Sequence, residues 1–329
     1  MCYLSERWLR QLHKDLKRSQ RSAFAKGTVK NFKSQWNKFL TFCERSGNHC
    51  LPVSSERLCL YIQFLTRSLK SPKSVRNYVH GLKTLHNMLD FPFPPLSSLD
   101  VKLTFRGIER RIQHVPSRAV PVTPALLLDI VKYLDLSDPY DATTWCLFLF
   151  LFFLFSRRSQ FVPDNVKDLA KSHMVLRSDI QLLGGLIHVS FRWTKTLQFG
   201  GRVLVIPLVP VPGSPLCPVS AYARMLKLLP APPSSLAFVF PSGKSFAPIS
   251  YWSFQSLFRR LVGLTGRDPA GYSTHSFRRG GASFAYSVGV RGELIQAQGD
   301  WASDAYKVYL EMAFPQRVQV ARAMALGLL

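Results

Sequence analysis

Trp145 to Phe155 is an unbroken run of eleven apolar residues, WCLFLFLFFLF. Crossing a bilayer takes about 20 such residues, and this run stops at Ser156-Arg157-Arg158. It therefore reads as a core helix that is apolar on every side and must be wrapped by its own domain. Such a helix also delivers arginines to the edge of the core, where a guanidinium needs partners because an unpaired buried charge is costly.

The 329 residues are enough for two domains of ordinary size, each with its own core. Lys and Arg number 43 against 19 Asp and Glu, a formal charge of +24, far more than solubility requires. A polyanion is the partner this implies. Residues 1–118 hold 22 basic and 7 acidic side chains, and residues 119–329 hold 21 and 12, so both halves would be drawn to phosphate, the first more strongly. A short basic protein poor in aromatics is excluded, since 47% of the residues are hydrophobic and 24 are Phe. The cysteines, Cys2, Cys43, Cys50, Cys59, Cys146 and Cys217, show no CxxC and no Cys/His pairing at metal-ligand spacing, and the N-terminus does not read as a signal peptide. Reduced, mostly buried thiols in an intracellular protein are expected, with no metal site and no membrane span.

Helical spacing joins Phe32, Trp36, Phe39, Leu40 and Cys43, then Leu58, Tyr61, Phe64 and Leu65, then Val75, Tyr78, Val79, Leu82, Leu85 and Leu89. A fourth helix is predicted over Val101 to Ile112, after the break FPFPP at 91–95. Lys30, Lys33, Lys38, Lys73, Arg76 and Lys83 fall on the polar faces, which predicts a small helical bundle with a basic surface. Residues 113–124 (QHVPSRAVPVTP) hold three prolines and no periodicity and read as a linker, with Thr123 and Pro124 as N-cap and first helical position of the next element. Gly185 to Phe191 and Val203 to Leu208, on either side of Lys195 and Gly200-Gly201, describe a hairpin. The fold class expected is mainly α: a helical domain at 1–112, a linker at 113–124, and an α+β domain at 125–329 with a small hairpin or sheet. In the tail after Pro315, Val318, Ala321, Met324 and Leu328 have the spacing of a short amphipathic helix.

Four places in the second half carry candidate chemistry. Arg157-Arg158-Ser159-Gln160 ends the apolar helix, and Trp193-Thr194-Lys195-Thr196 ends a strand beside a turn. In His275-Ser276-Phe277-Arg278-Arg279-Gly280-Gly281 a histidine and an arginine three apart share a helix face and can meet one phosphate. The small residues that follow them let a helix pack closely. Gly299-Asp300-Trp301 precedes Tyr306 and Tyr309, and Trp301 and Tyr309 would lie about two helical turns apart. Taken singly, each has an ordinary reading: a paired arginine, a solvated lysine, core aromatics.

In order, Arg157, Lys195, His275, Arg278, Trp301 and Tyr309 resemble the Arg, Lys, His-x-x-Arg, His-or-Trp, Tyr series of the tyrosine recombinase (phage integrase) family. The phrases RRSQFVP, WTKT, HSFRRGGA and GDWASDAYKVYL look like its eukaryotic mobile-element branch, the DIRS-like and Crypton-like recombinases. The family's small Thr-Gly-Leu lead-in to the first arginine is Leu154-Phe155-Ser156 here. Its frequent carboxylate three residues after that arginine is Gln160, and Trp301 stands where many members have His. The resemblance implies a SAM-like helical core-binding domain ahead of a catalytic domain, and cleavage of double-stranded DNA with no cofactor. Tyr309 would attack the phosphate, Arg157 and Arg278 would bind its oxygens, and His275 would assist the proton's departure or orient the phosphate. Lys195 would protonate the leaving 5′ oxygen, and Trp301 would contact the phosphate through its indole N–H. It further implies a homotetramer on DNA, with the tail linking protomers, and a nuclear location if the source is eukaryotic, cytoplasmic otherwise.

Three other readings compete. A type IB topoisomerase-like enzyme uses nearly the same residues; a non-catalytic DNA-binding derivative of a mobile element would retain the fold alone; an RNA-binding protein would call for aromatic sheet motifs, which the sequence lacks.

Overall fold

In the computed structural model the described residues are 6–47, 51–115, 118–166, 173–194, 196–197, 201–309 and, in the tail, 318, 322 and 324–326. The chain divides into two compact units, Met1–Pro116 and Ser117–Leu329.

The first unit is helical: α1 (Glu6–Ser22), α2 (Lys26–Ser46), α3 (Ser55–Thr66), α4 (Pro72–Met88) and α5 (Leu99–Arg111). Phe39, Leu58, Tyr61, Ile62, Leu65, Val75, Val79, Leu82, Val101, Phe105 and Ile108 form one core, as periodicity predicts for helices that each bury one stripe. Leu40, counted in the α2 stripe, faces solvent, and Gln35 is buried instead. The reason is local: Gln35 Nε2 donates to the Asn77 carbonyl at 3.2 Å, and Trp36 Nε1 to that of Gly81 at 3.3 Å, which turns the neighbouring face of α2 onto α4. His86 is fully buried; its Nε2 accepts from the Val53 N–H at 3.1 Å and its Nδ1 lies 3.0 Å from the Leu82 carbonyl, which makes it the neutral Nδ1–H tautomer. The predicted lysine face is outward, and Arg76 pairs with Glu109 at 2.7 Å over the Phe105 ring. The helices read from periodicity omit α1, where Trp8, Leu9, Leu12 and Leu16 recur at helical spacing but are all exposed.

The second unit is built round α7 (Pro139–Phe153), with Asp138 as N-cap accepting from the N–H groups of Tyr140 and Asp141. Its residues 142–152 are all buried. Phe148 meets Phe254, Phe258 and Phe277 on one side, and Phe150 meets Phe161, Tyr222 and Phe238 on the other. An all-round apolar helix is stable because partners cover every side. Those partners include α6 (Pro124–Ile130), α8 (Pro218–Leu228), α9 (Tyr251–Leu264) and α10 (His275–Ser287), followed by α11 (Gly292–Gln298) and a 3-10 turn at Asp304–Tyr309. Among the described residues no helix is long and apolar enough to cross a membrane.

A three-stranded antiparallel sheet, β1 (Ile180–Leu183), β2 (Leu186–Phe191) and β3 (Leu204–Leu208), holds the predicted hairpin, with Phe191 opposite Leu204. The extra strand β1 turns into β2 through Gly184-Gly185, both at positive φ, where glycine has no Cβ clash. A second pair, β4 (Phe240–Ser242) and β5 (Ser245–Ala247), completes the strands among the described residues.

Two expectations need correction. The end of the 113–124 segment is not a free linker: Val122 is buried, and the N–H groups of Val120 and Val122 donate to the carbonyls of Gly271 and Ser276, because the extended backbone there finds its hydrogen bonds against the loop that leads into α10. Thr123 does cap α6, accepting from the Leu126 N–H at 3.1 Å. Nor does one helix join Trp301 to Tyr309. Asp300 has φ +50 and separates α11 from Trp301, residues 301–303 are non-helical, and only the short 3-10 turn follows. The C-terminal helix predicted after Pro315 falls mostly outside the described residues.

Candidate active site

The end of α7 sets the first element. Phe155 takes φ +47, a left-handed conformation that is unusual for a bulky residue and falls where the resembled family carries glycine. The turn reverses the chain, with the Ser156 N–H donating to the Leu151 carbonyl at 3.3 Å, and brings Arg157 out half-buried. The Arg157 N–H donates to Gln160 Oε1 at 3.1 Å, so Gln160 braces this turn. Arg158 leads away from the cleft, over the Tyr251 ring and onto Asp164.

Helix α10 supplies the second element. A Cβ on Gly280 would lie 1.9 Å from the Val122 carbonyl oxygen, and one on Gly281 would lie 2.0 Å from that of Phe152. Only glycine permits that approach, which brings the first turns of α10 against the end of α7. Arg278 is consequently 2% exposed. Its Nη1 donates to the Phe155 carbonyl and its Nη2 to that of Gly299 at 2.7 Å. The Trp301 ring lies 3.8 Å from the guanidinium carbon, a cation–π stack. Phe155, Ala282, Ile295, Trp301 and Tyr306 form a small core of their own beneath this site.

Arg157, Arg278, Ser156, Thr194, Gly299 and Asp300 line one small cleft. His275, at the first position of α10, has its pKa lowered by partial burial and by the positive charges of Arg278 and Arg157. Its ring edge reaches solvent. The imidazole therefore stays neutral around pH 7 and can accept a proton.

The structure thus brings together Arg157, His275, Arg278 and Trp301. Lys195 lies outside the described residues. Tyr309 ends the 3-10 turn, and its side chain is likewise outside them. Tyr306 is buried, 6.2 Å from Trp301 between ring centroids. Sequence reasoning gives no role to Asp300, Thr194, Thr196 or Ser156. Asp300 is 7% exposed; it accepts from the hydroxyls of Thr194 and Thr196 and from Arg202 Nη2 at 2.8 Å. The Ser156 hydroxyl is buried without a hydrogen-bond partner among the described residues. All four lie in or beside the motifs of the sequence, but no local signal pairs positions a hundred residues apart.

Comparison with solved structures identifies the fold. XerH site-specific recombinase on palindromic difH substrate, in a post-cleavage complex, superposes with a TM-score of 0.64 at 13% identity over 89% of this chain and 79% of that one. The Tn1549 transposon integrase in complex with circular intermediate DNA gives 0.56 at 16% identity, over 96% and 98%. A lambda integrase dimer bound to a COC′ core site gives 0.56 at 13%, over 91% and 77%. The fold is that of the tyrosine recombinases. No protein-family model matches the sequence, and no curated protein matches it either. At such identities the likeness establishes the recombinase fold, and the chemistry has to be argued from the cleft.

Proposed function

We propose that this chain is a site-specific DNA recombinase or integrase that cuts and rejoins strands through a 3′-phosphotyrosyl intermediate. The observation that carries the reading is that Arg157 and Arg278 line one cleft of a recombinase fold, with His275 close enough to feel both charges and the Trp301 ring stacked on Arg278. Two guanidiniums offer planar paired donors to the non-bridging oxygens of a phosphate. They offset the charge that builds up as a nucleophile attacks, and such fixed charge is the main source of rate enhancement in most reactions of this kind.

Tyr309 supplies the nucleophile. As its oxygen bonds to phosphorus, the P–O5′ bond breaks and its electron pair leaves on the 5′ oxygen. The phenol proton, held with a pKa of about 10 in the free side chain, passes to neutral His275 or through it to solvent, and Lys195 donates a proton to the 5′ oxygen. Attack by a second 5′ hydroxyl reverses these transfers and exchanges strands. Chain cations supply the charge stabilisation, so EDTA is expected to leave cleavage intact. The first unit acts as a core-binding domain whose outward lysines meet the DNA backbone.

The phrases RRSQFVP, WTKT, HSFRRGGA and GDWASDAYKVYL support a place in the DIRS-like or Crypton-like branch, and with it a mobile-element origin and a nuclear location. We further read the assembly as a tetramer on DNA, tested by sizing the DNA complex after deletion of residues 316–329; an unchanged tetramer refutes a linking role for the tail.

The deciding experiment uses a nicked suicide duplex bearing a site selected from random-sequence DNA. Unmutated protein and Tyr306→Phe should form a covalent DNA adduct, and Tyr309→Phe should form none. An adduct mapped by mass spectrometry to Tyr306, or no adduct from unmutated protein on a bound site, overturns the reading.

A further inference from the structure

Three residues, Gly299 to Trp301, touch both halves of the cleft. The Gly299 carbonyl holds Arg278 Nη2 and the Trp301 ring covers the same guanidinium. Between them the Asp300 carboxylate points the other way, into the loop that follows β2. It takes the hydroxyls of Thr194 and Thr196 on one oxygen and Arg202 on the other. Thr194 in turn accepts from the N–H groups of Thr196 and Leu197, both at 3.1 Å.

A buried carboxylate is retained in a fold only when hydrogen bonds and counter-charge meet it, and here Thr194, Thr196 and Arg202 all come from one loop. The backbone supports the arrangement: Asp and Asn are among the few side chains that tolerate the positive φ found at Asp300. We propose that Asp300 is a positioning residue, a latch that ties Thr194, Thr196 and Arg202 to the Arg278–Trp301 side of the cleft and so sets how well the leaving 5′ oxygen is protonated. Lys195 enters by its place in the chain, between the two latched threonines. This inference rests on the strand-transfer reading above.

In the cleavage step the electron pair of the P–O5′ bond leaves on oxygen, which takes a proton from an ammonium on the loop. If a sulfur replaces that bridging oxygen, the departing thiolate needs no proton. The substitution therefore separates a misplaced acid from a damaged fold. The test uses full-length protein on two forms of the mapped suicide duplex, with oxygen or sulfur at the 5′-bridging position.

Unmutated protein should form the adduct on both. Asp300→Asn keeps the size and the backbone preference and removes the charge and one acceptor. It should slow the oxygen duplex by about 10- to 100-fold, in line with the cost of displacing a catalytic group by about 1 Å, and leave the sulfur duplex close to the unmutated rate. Thr194→Val with Thr196→Val should reproduce the pattern, and Thr194→Ser with Thr196→Ser should recover most of the oxygen rate. Equal loss on both duplexes for the Asp300 and valine variants, or no loss on either, overturns the latch while the strand-transfer reading stands. If Asp300→Asn fails to fold, the threonine pairs give the same comparison. No adduct from unmutated protein on either duplex fails the strand-transfer reading and the latch with it.

Discussion

Replacing Gly281 by alanine sets two effects of opposite sign against each other. Inside a helix, Gly to Ala gains up to about 1 kcal/mol from backbone entropy. At this position, though, the new Cβ would sit 2.0 Å from the Phe152 carbonyl oxygen and 2.6 Å from Phe155 Cδ1. Real Cβ atoms essentially never come within 3.0 Å of a neighbour, so α10 must back away by about 1 Å from rigid backbone. Overpacking of this kind costs about 1–3 kcal/mol, and with backbone on one side and a buried ring on the other the upper part of that range applies. Sterics win by roughly 1–2 kcal/mol, which for a unit of this size lowers the melting temperature by about 2–8 °C. Calorimetry of the full chain measures it. The exposed Gly263 of α9 has nothing within 4 Å of its added Cβ, and Gly263→Ala should raise the same transition slightly. The shift also pulls Arg278 off the Phe155 carbonyl, so adduct formation should fall about 100-fold while DNA binding persists. A Gly281→Ala protein that melts at or above the unmutated one and still cleaves refutes the close-approach argument.

Arg157→Ala should cut adduct formation by about 100- to 1000-fold with little change in DNA affinity, since this side chain is one of many phosphate contacts; near-normal cleavage removes it from the site. His275 should titrate below 6.5 in the DNA-free protein, because burial and the guanidiniums of Arg278 and Arg157 oppose its protonation. NMR should therefore show the midpoint rising towards 6.5 in Arg157→Ala, and cleavage that uses the neutral ring should hold at pH 7 and fall only as the pH drops through the lowered midpoint. An unmoved midpoint breaks the charge argument. Affinity for duplex DNA should fall steeply between about 50 and 200 mM salt; a flat response excludes phosphate neutralisation as the source of binding.

What is legible in the sequence follows from patterns that repeat within a few residues. The apolar run has to be a wrapped helix, Thr123-Pro124 has to start one, and the small residues after Arg278 have to let α10 pack closely; all three hold. What escapes sequence reading depends on partners far along the chain. Asp300 lies in a motif whose legible residue is the tryptophan, and its threonines sit about a hundred positions earlier. Leu40 satisfies the helical period and is nonetheless exposed, because Gln35 and Trp36 bond to α4 and decide which face of α2 turns inward. The departure from the family's glycine at Phe155 is plain in the sequence, but its geometry is not: only the fold shows that a strained residue aims its carbonyl at Arg278.

That carbonyl makes Arg278 serve two ends. At 2% exposure its guanidinium is tied by the Phe155 and Gly299 carbonyls and stacked on by the Trp301 ring, and it still lines the cleft. The two carbonyls hold the fork in its plane. Lysine keeps the charge but concentrates its donors at one point and cannot span both carbonyls. Leaving one buried carbonyl unmet costs about 1–3 kcal/mol. Arg278→Lys should therefore lower the melting temperature by several degrees, at roughly 2–4 °C per kcal/mol, as well as abolish the adduct. Arg157→Lys, at a half-buried position, should lose cleavage with little change in melting. If Arg278→Lys melts with the unmutated protein, the two carbonyl contacts contribute nothing to stability, and Arg278 is held in the core for its phosphate alone.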